Sequence, residues 1–227
     1  MSIADNIKRI REHIDKITAS SGRTDKVALT AASKTRSADE VRAAIEAGVD
    51  ACGENRVQEM LLKNSQAAYE GKPLHFIGTL QSNKVRQIVG VCDLIESVDS
   101  LNLIELISKK AISLNITQDI LIEVNIGNEA SKAGIIPEQL DEILEIADKT
   151  KGICVRGLMA IPPISVQNGR NLNYFDAMMK LFVDIRGKRY DNNSVHFLSM
   201  GMSDSYEDAI HAGSNMVRIG SAIFGQR

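Results

Sequence analysis

The feature that most constrains this chain is an alternation of short apolar runs with amphipathic segments along most of its length. Eight runs have the length and composition of buried strands: 27–33, 50–53, 75–78, 93–98, 119–126, 153–161, 195–198 and 216–219. Seven stretches between them carry helical periodicity: 38–47, 55–67, 82–89, 101–114, 137–147, 174–186 and 204–212. Apolar strands that alternate with amphipathic helices predict parallel βαβ units.

Eight strands with seven intervening helices predict an α/β fold that closes as a (β/α)₈ TIM barrel, and 227 residues suit one such domain, spanning 1–227. An N-terminal helix within 1–20 would take the missing place in the outer ring and pack on the barrel. Its apolar face is formed by isoleucines spaced four and three apart: Ile3, Ile7, Ile10, Ile14 and Ile17. An open doubly wound sheet is the alternative, because 50–53 is a weak strand candidate.

Each of the last two strand candidates is followed by a turn of small and hydroxyl residues. The first turn contains Ser199, Met200, Gly201, Met202 and Ser203, and the second contains Gly220 and Ser221. We expect Asp204 to cap the helix after the first turn, with Glu207 at its third position. Helix starts of this kind bind phosphate, and barrels often build a phosphate site after strands 7 and 8. The alternative is a purely structural role, since ordinary turns use the same residues.

Lys34 follows the first strand candidate, 27–33, and would point toward the mouth of a barrel. Partial burial there would lower its pKa and make the amine nucleophilic toward an aldehyde. For an isolated lysine a solvated strand end is the simpler interpretation. A nucleophilic lysine opposite a phosphate cradle is, however, the layout that pyridoxal 5′-phosphate (PLP) requires.

Other candidate site residues lie within strands or at their ends. Arg218 interrupts the apolar run MVRIG, and a buried guanidinium needs a partner, either a ligand or a carboxylate across the barrel end. Asn55 follows the second strand and is a candidate ligand contact, and Met159 lies near the end of the sixth. Ser82 is interpreted as a helix cap. The loop-like stretch 162–173 follows the sixth strand and is expected to be mobile.

Composition excludes several functional classes. The formal net charge is −2 and aromatic residues make up only 4%, which gives no sign of a nucleic-acid partner. No basic segment followed by an apolar one opens the chain, and no apolar run approaches membrane-spanning length. The three isolated cysteines are typical of a reducing cytoplasm, where we expect the protein to act. The four histidines show no metal-ligand spacing, so no metal site is predicted.

Longer blocks of the sequence resemble one family closely. They are AASKTR, ACGENRVQEM, HFIGTLQSNKVR, IEVNIGNEASKAGI, VRGLMAIPP and LSMGMSDSYEDAIHAGSNMVRIGSAIFGQR. Together they are similar to the pyridoxal phosphate homeostasis proteins, whose barrel is similar to that of alanine racemase. The resemblance runs from about residue 26 to 227 and implies a fold type III PLP-binding barrel with PLP at its mouth.

The resemblance also implies roles for individual residues. Lys34 would hold PLP as an internal aldimine, Arg218 would face the pyridine nitrogen, and Asn55 would contact the ring. The remaining implied cofactor contacts are Met159, Ser199, Met200, Gly201, Ser203, Gly220 and Ser221. The chain departs from the family at Thr79, where a histidine is usual, and at Ser221, where a threonine is usual. The first departure puts any acid/base role near that position in doubt.

The function implied by the resemblance is a carrier or regulator of PLP in vitamin B6 and amino-acid homeostasis, without established catalysis. The alternative is a PLP-dependent amino-acid racemase, which needs two acid/base groups on opposite faces of the substrate carbon. Only Lys34 is placed to supply one, and no tyrosine lies plainly at a strand end. A barrel enzyme that acts on a phosphorylated metabolite without PLP is a further alternative. Apo-enzymes that require PLP would be recipients, and we expect a monomer that contacts no membrane.

Overall fold

The strands form a closed parallel barrel in which neighbours in the chain are neighbours in space. This computed structural model describes residues 2–129, 131–163, 171–188 and 190–226. The strands are β1 (Ala28–Ala32), β2 (Ala51–Glu54), β3 (Leu74–Phe76), β4 (Leu94–Val98), β5 (Gln118–Glu123), β6 (Ile153–Met159), β7 (Phe197–Ser199) and β8 (Met216–Ile219). Closure is made by β1 and β8, with Thr30 opposite Arg218. The TIM-barrel prediction is confirmed, and the open sheet is excluded.

Helices follow the strands and surround the barrel. They are α1 (Ile3–Ser20), α2 (Ala38–Glu46), α3 (Val57–Ser65), α4 (Val85–Ile88), α5 (Leu101–Ser113), α6 (Leu140–Lys149), α7 (Leu172–Arg186), α8 (Tyr206–His211) and α9 (Ser221–Phe224). Short 3₁₀ turns, Ser82–Lys84 and Pro137–Gln139, lead directly into α4 and α6. The sequence therefore predicted every strand and the helix after each of the first seven, with differences at the boundaries.

The N-terminal helix packs as its isoleucine spacing predicts. Ser2 forms a capping box with Asp5, and each side chain bonds to the other residue's backbone N–H. The inward face of α1 is buried against α2, α8 and α9: Ile7, Ile10, Ile14 and Ile17. Each buried isoleucine contributes about 1.5–3 kcal/mol relative to exposure, so this face fixes α1 on the barrel. The single-domain organisation of 1–227 stays a prediction.

Two predicted helix caps are wrong. Helix α8 begins at Tyr206 rather than after Asp204, and its N-cap, Ser205, makes no capping bond from its side chain. The Ser205 hydroxyl instead accepts the N–H of Met202 at 3.1 Å, which tightens the turn before the helix. Ser82 is the first residue of a 3₁₀ turn, and its hydroxyl accepts a bond from Asn102.

Strand ends differ from the predictions where pairing stops. β5 ends at Glu123 rather than 126, because Val124 pairs with Ile135 in an isolated bridge. β6 ends at Met159 rather than 161. The stretch 162–173 was predicted to be a mobile loop, but 172 and 173 belong to α7. Its central residues, 164–170, lie outside the described residues.

Candidate functional site

A cavity of about 370 Å³ opens at the carboxyl ends of β1, β7 and β8. Such a position is where (β/α)₈ barrels hold their ligands, because the loops after the strands meet there. The residues that line it are Ala32, Lys34, Arg36, Met202, Ser203, Asp204, Arg218, Gly220, Ser221, Gly225 and Gln226. Five predicted site residues are among them. Three cations and one carboxylate line the cavity, which suits an anionic ligand, although Arg36 also pairs with Glu40 outside it.

Lys34 lies in the turn after β1 and is exposed, so the expectation of partial burial is wrong. The next residue, Thr35, has φ +64°, a left-handed conformation that is strained for a β-branched side chain. Its N–H donates to Glu59 Oε2 at 2.8 Å. A strained residue persists only where its surroundings hold it, and such residues concentrate at functional sites.

The two turns predicted to bind phosphate meet at one hydroxyl. Ser203 Oγ accepts the N–H groups of Gly220 and Ala222, each at 3.3 Å. A serine hydroxyl has one proton to donate, so Ser203 can still donate to a ligand oxygen. Among the described residues, nothing accepts a hydrogen bond from the backbone N–H of Ser203, Asp204 or Ser221. The turns after β7 and β8 therefore present hydroxyls and N–H groups at the same cavity.

Arg218 connects this cavity to the barrel interior. Its Nη1 donates to the Ser199 carbonyl at 2.9 Å and to Ser199 Oγ at 2.6 Å, while Nη2 donates to the Ala160 carbonyl at 3.0 Å. Glu96 Oε2 lies 3.6 Å from Nη1. Since β4 and β8 are on opposite sides of the barrel, this ion pair crosses its lumen. Arg218 thus has the carboxylate partner that a buried guanidinium requires, and it also lines the cavity.

The network continues below Arg218. Ser199 Oγ donates to Glu96 Oε2 at 2.6 Å, and His75 Nδ1 lies 2.8 Å from Glu96 Oε1. Burial alone would raise the pKa of Glu96, but the hydrogen bond from His75 and the positive charge of Arg218 together hold it below its usual value. Burial lowers the pKa of Arg218, and the charges of Glu96 and Glu123 oppose that change. Glu96 is therefore the ion-pair partner that compensates the buried charge of Arg218.

Glu123, at the end of β5, is a second buried carboxyl in this region. Burial and the neighbouring charge of Asp99 raise its pKa to about 7, although Arg218 acts in the opposite direction. Among the described residues its carboxyl oxygens form no hydrogen bond and no ion pair within 4.0 Å, unlike those of Glu96. Glu123 is therefore the buried acid here that changes charge near neutral pH.

The described ranges contain neither a metal-binding cluster nor a membrane-spanning helix. No group of three or more histidine, cysteine, aspartate or glutamate side chains could hold a metal ion there. In the same ranges, no helix combines the length and the apolar character needed to cross a membrane.

Comparison with known proteins places the chain in a family. Residues 2–227 match the family described as alanine racemase, N-terminal domain. A pyridoxal phosphate homeostasis protein of Aquifex aeolicus is 40% identical over 229 residues, covering 100% of this chain and 99% of the relative. A protein of the same name from Escherichia coli K12 is 36% identical, covering 99% and 97%. The chain belongs to the pyridoxal phosphate homeostasis protein family.

Solved structures agree with this membership. A protein from Bifidobacterium adolescentis, described as unknown, superimposes with a TM-score of 0.92 at 37% identity, covering 98% of this chain and 94% of the other. PipY of Synechococcus elongatus PCC7942, solved with PLP bound, gives 0.85 at 28% identity, covering 99% and 100%. An alanine racemase of Clostridium difficile 630 gives 0.70 at 18% identity, covering 98% and 57%, and this likeness shows the fold alone.

The structure brings together only part of the residue set that the family resemblance implied. Lys34, Ser203, Arg218, Gly220 and Ser221 line one cavity. The side chain of Ser199 is fully buried, and its hydroxyl is bound to Glu96 and Arg218 instead of reaching that cavity.

Four other expected contacts are placed elsewhere. Met200 and Met159 are completely buried in apolar clusters, and Gly201 forms a left-handed turn packed against α8. Asn55 lines a separate cavity of about 170 Å³ together with Thr79, at the ends of β2 and β3. The Oδ1 atom of Asn55 is buried there without a hydrogen-bond partner. None of these four residues lines the cavity that contains Lys34.

Sequence reasoning missed the residues that support the cavity from below. Glu96 is a charged residue inside the apolar run DLIESV, the same kind of interruption that drew attention to Arg218. A charged residue inside each of two apolar runs could have predicted an ion pair between Glu96 and Arg218. Glu123 interrupts the apolar run DILIEVNI in the same way, so the same signal could have marked it, whereas His75 opens its run, where a polar residue is common. Arg36 and Asp204 were also missed as cavity residues.

Proposed function

We propose that this protein binds PLP in the cavity at the ends of β1, β7 and β8 and serves intracellular PLP homeostasis as a carrier. The observation that carries the proposal is one cavity that contains both the exposed amine of Lys34 and the hydroxyls of Ser203 and Ser221. The naming of the curated relatives and the PLP-bound structure of PipY support it. When bound, PLP supplies an aldehyde that captures amines and a ring that withdraws electrons from them.

The residues at the cavity fit the two ends of this cofactor. The phosphate dianion would accept hydrogen bonds from Ser203, Ser221 and the unused backbone N–H groups of the two turns. A side chain at Gly220 would crowd the end of β1, since an added Cβ would lie 3.2 Å from the Ala32 carbonyl oxygen. The amine of Lys34 would add to the aldehyde carbon. The aldehyde oxygen leaves as water, and the step involves no oxidation or reduction.

Arg218 would favour storage of PLP over catalysis by the bound cofactor. We propose that Arg218 directs an unused N–H, on Nε or Nη2, at the pyridine nitrogen, because Ser199 engages both N–H groups of Nη1 and Ala160 engages one of the two on Nη2. An arginine remains protonated and can only donate a hydrogen bond, which keeps the ring nitrogen unprotonated. An unprotonated ring withdraws electrons poorly, so this environment disfavours the carbanion chemistry of racemases.

Racemase activity is the second candidate function, because the fold is shared with alanine racemases. It would need a second acid/base group opposite Lys34. Among the described residues that line the cavity there is no tyrosine or histidine. We therefore propose a carrier that delivers PLP to apo-enzymes, acts as a monomer, and works in the cytoplasm, where its three free cysteines would stay reduced.

The test is replacement of Lys34 with alanine, followed by visible absorbance spectroscopy and borohydride reduction in the presence of PLP. The wild-type protein should show an absorbance band that reduction abolishes, and peptide mapping should find the pyridoxyl group on Lys34. Lys34→Ala should lose the band and the label. Lys26→Ala is a matched control. Lys26 lies before β1, its side chain is 77% exposed, and it pairs with Asp50. A label on another lysine would refute the assignment.

A further inference from the structure

Ser33, the residue before Lys34, is held by two buried side chains that belong to other elements. Lys63 Nζ, from α3, donates to the Ser33 carbonyl at 2.7 Å. Ser33 Oγ donates to Glu54 Oε1, at the end of β2, at 2.6 Å. The Ser33 N–H also donates to the Gly53 carbonyl at 2.9 Å. Both polar ends of the Ser33 backbone and its hydroxyl are therefore fixed.

The residue after Lys34 is held by the same helix. Thr35 has φ +64°, and Glu59 of α3 accepts its N–H at 2.8 Å. Lys63 and Glu59 lie one helical turn apart on α3, so they hold the two residues that flank Lys34. A strained conformation relaxes when such anchors are removed.

The pair formed by Glu54 and Lys63 is unusual for a purely structural element. Lys63 Nζ lies 2.6 Å from Glu54 Oε1, and both side chains are buried, with exposed fractions of 7% and 0%. Tyr69 donates to the same oxygen at 3.0 Å, whereas Glu54 Oε2 is buried without a partner. Burying an ion pair in this way gives little stability compared with apolar side chains of similar size. Stability alone does not explain why charges occupy these positions.

We propose that Lys63, whose ammonium is held by Glu54, is a positioning residue for Lys34: it holds Ser33 so that the Lys34 amine is presented to the aldehyde of PLP. This inference rests on the proposed function. A reacting amine that is already oriented loses less freedom when the bond forms. Releasing Ser33 should therefore weaken capture of PLP by Lys34 without removing the amine or the phosphate contacts.

Two variants separate positioning from stability. Glu54→Gln unbalances the buried charge and should lower stability, but Lys63 can still donate to the Ser33 carbonyl. The double variant Glu54→Gln with Lys63→Met removes both charges, which should restore part of the lost stability. It leaves the Ser33 carbonyl with the backbone N–H of Arg36, at 3.1 Å, and without its side-chain donor. If the pair is merely structural, PLP capture should be lowest in the least stable variant. If Lys63 positions Lys34, PLP capture should be lowest in the variant that lacks the hydrogen bond between Lys63 and Ser33.

The experiment measures three quantities for the wild type and both variants: stability in urea, the amount of PLP trapped on Lys34 by borohydride, and amide hydrogen exchange at Ser33 and Thr35 without PLP. We expect trapping at limiting PLP to fall about tenfold in the double variant, which corresponds to about 1.4 kcal/mol, and to stay within about twofold of wild type in Glu54→Gln. Exchange at both amides should accelerate only in the double variant.

The outcomes separate this inference from the proposed function. A double variant that traps PLP as well as the wild type overturns the positioning role alone, as does trapping that follows stability across the two variants. A wild-type protein that traps no PLP on Lys34 overturns the proposed function, and the positioning role falls with it.

Discussion

Replacement of Glu123 with glutamine should make the free energy of unfolding less sensitive to rising pH. Glu123 is 6% exposed, and burial together with the charge of Asp99 raises its pKa to about 7 from an ordinary 4.5. In the unfolded chain the carboxyl titrates near its ordinary value, so the folded state binds the proton more tightly. Folding is therefore favoured while Glu123 is protonated, and this contribution is lost as the pH rises through about 7.

The magnitude follows from the difference between the two pKa values. One pKa unit corresponds to about 1.4 kcal/mol, so a rise of about 2.5 units is worth about 3.5 kcal/mol. The free energy of unfolding of the wild type should thus fall by about that amount, relative to Glu123→Gln, between pH 4 and pH 8. Groups with lowered pKa values, such as Asp50, lose stability as the pH falls, but they are present in both proteins and cancel in the difference.

Urea unfolding followed by circular dichroism at several pH values measures this difference. Glu138→Gln is the matched control, because Glu138 is exposed and the same substitution there should leave the pH dependence unchanged. A constant difference between wild type and Glu123→Gln from pH 4 to pH 8 would refute the reasoning. So would a wild type that gains stability relative to the variant as the pH rises.

Two further substitutions test the packing and the interior network. Gly201→Ala should destabilise the protein by about 2 kcal/mol in urea unfolding, because Gly201 has φ +97° and the new Cβ would lie 2.6 Å from that of Ala209; unchanged stability would contradict the turn geometry. Glu96→Gln should cost about 3 kcal/mol by the same measurement, since the buried Arg218 would lose the carboxylate that forms its ion pair. A neutral effect would show that Arg218 does not depend on Glu96.

Elements with strong local signals were predictable from the sequence. β8 has the predicted bounds, Met216–Ile219, because an apolar run there is enclosed by Asn215 and Gly220. The α1 helix followed from its isoleucine spacing. The weak second strand forms because β1 and β3 pair with it on both sides, which is tertiary support that no local pattern records. Asp204 failed as a cap because Ser205 closes the preceding turn instead.

The cavity was predictable where it is built by the loops after the strands, because these loops meet at one face of a parallel barrel. The turn after β1 and the turns after β7 and β8 meet because β1 and β8 are paired, so Lys34 and Ser203 share a cavity. Contacts across the barrel were not predictable in this way. Ser199 and Glu96 are 103 residues apart in the chain, and their hydrogen bond depends on which side chains face the lumen. The buried partners of Ser33 depend on how α3 packs against β2.

A crystal structure of the protein with PLP bound would test the central claim most directly. The account predicts continuous density from Lys34 Nζ to the former aldehyde carbon, with the phosphate at Ser203 and Ser221 and the pyridine nitrogen beside Arg218. PLP joined to another lysine, or a phosphate bound outside the turns after β7 and β8, would contradict it.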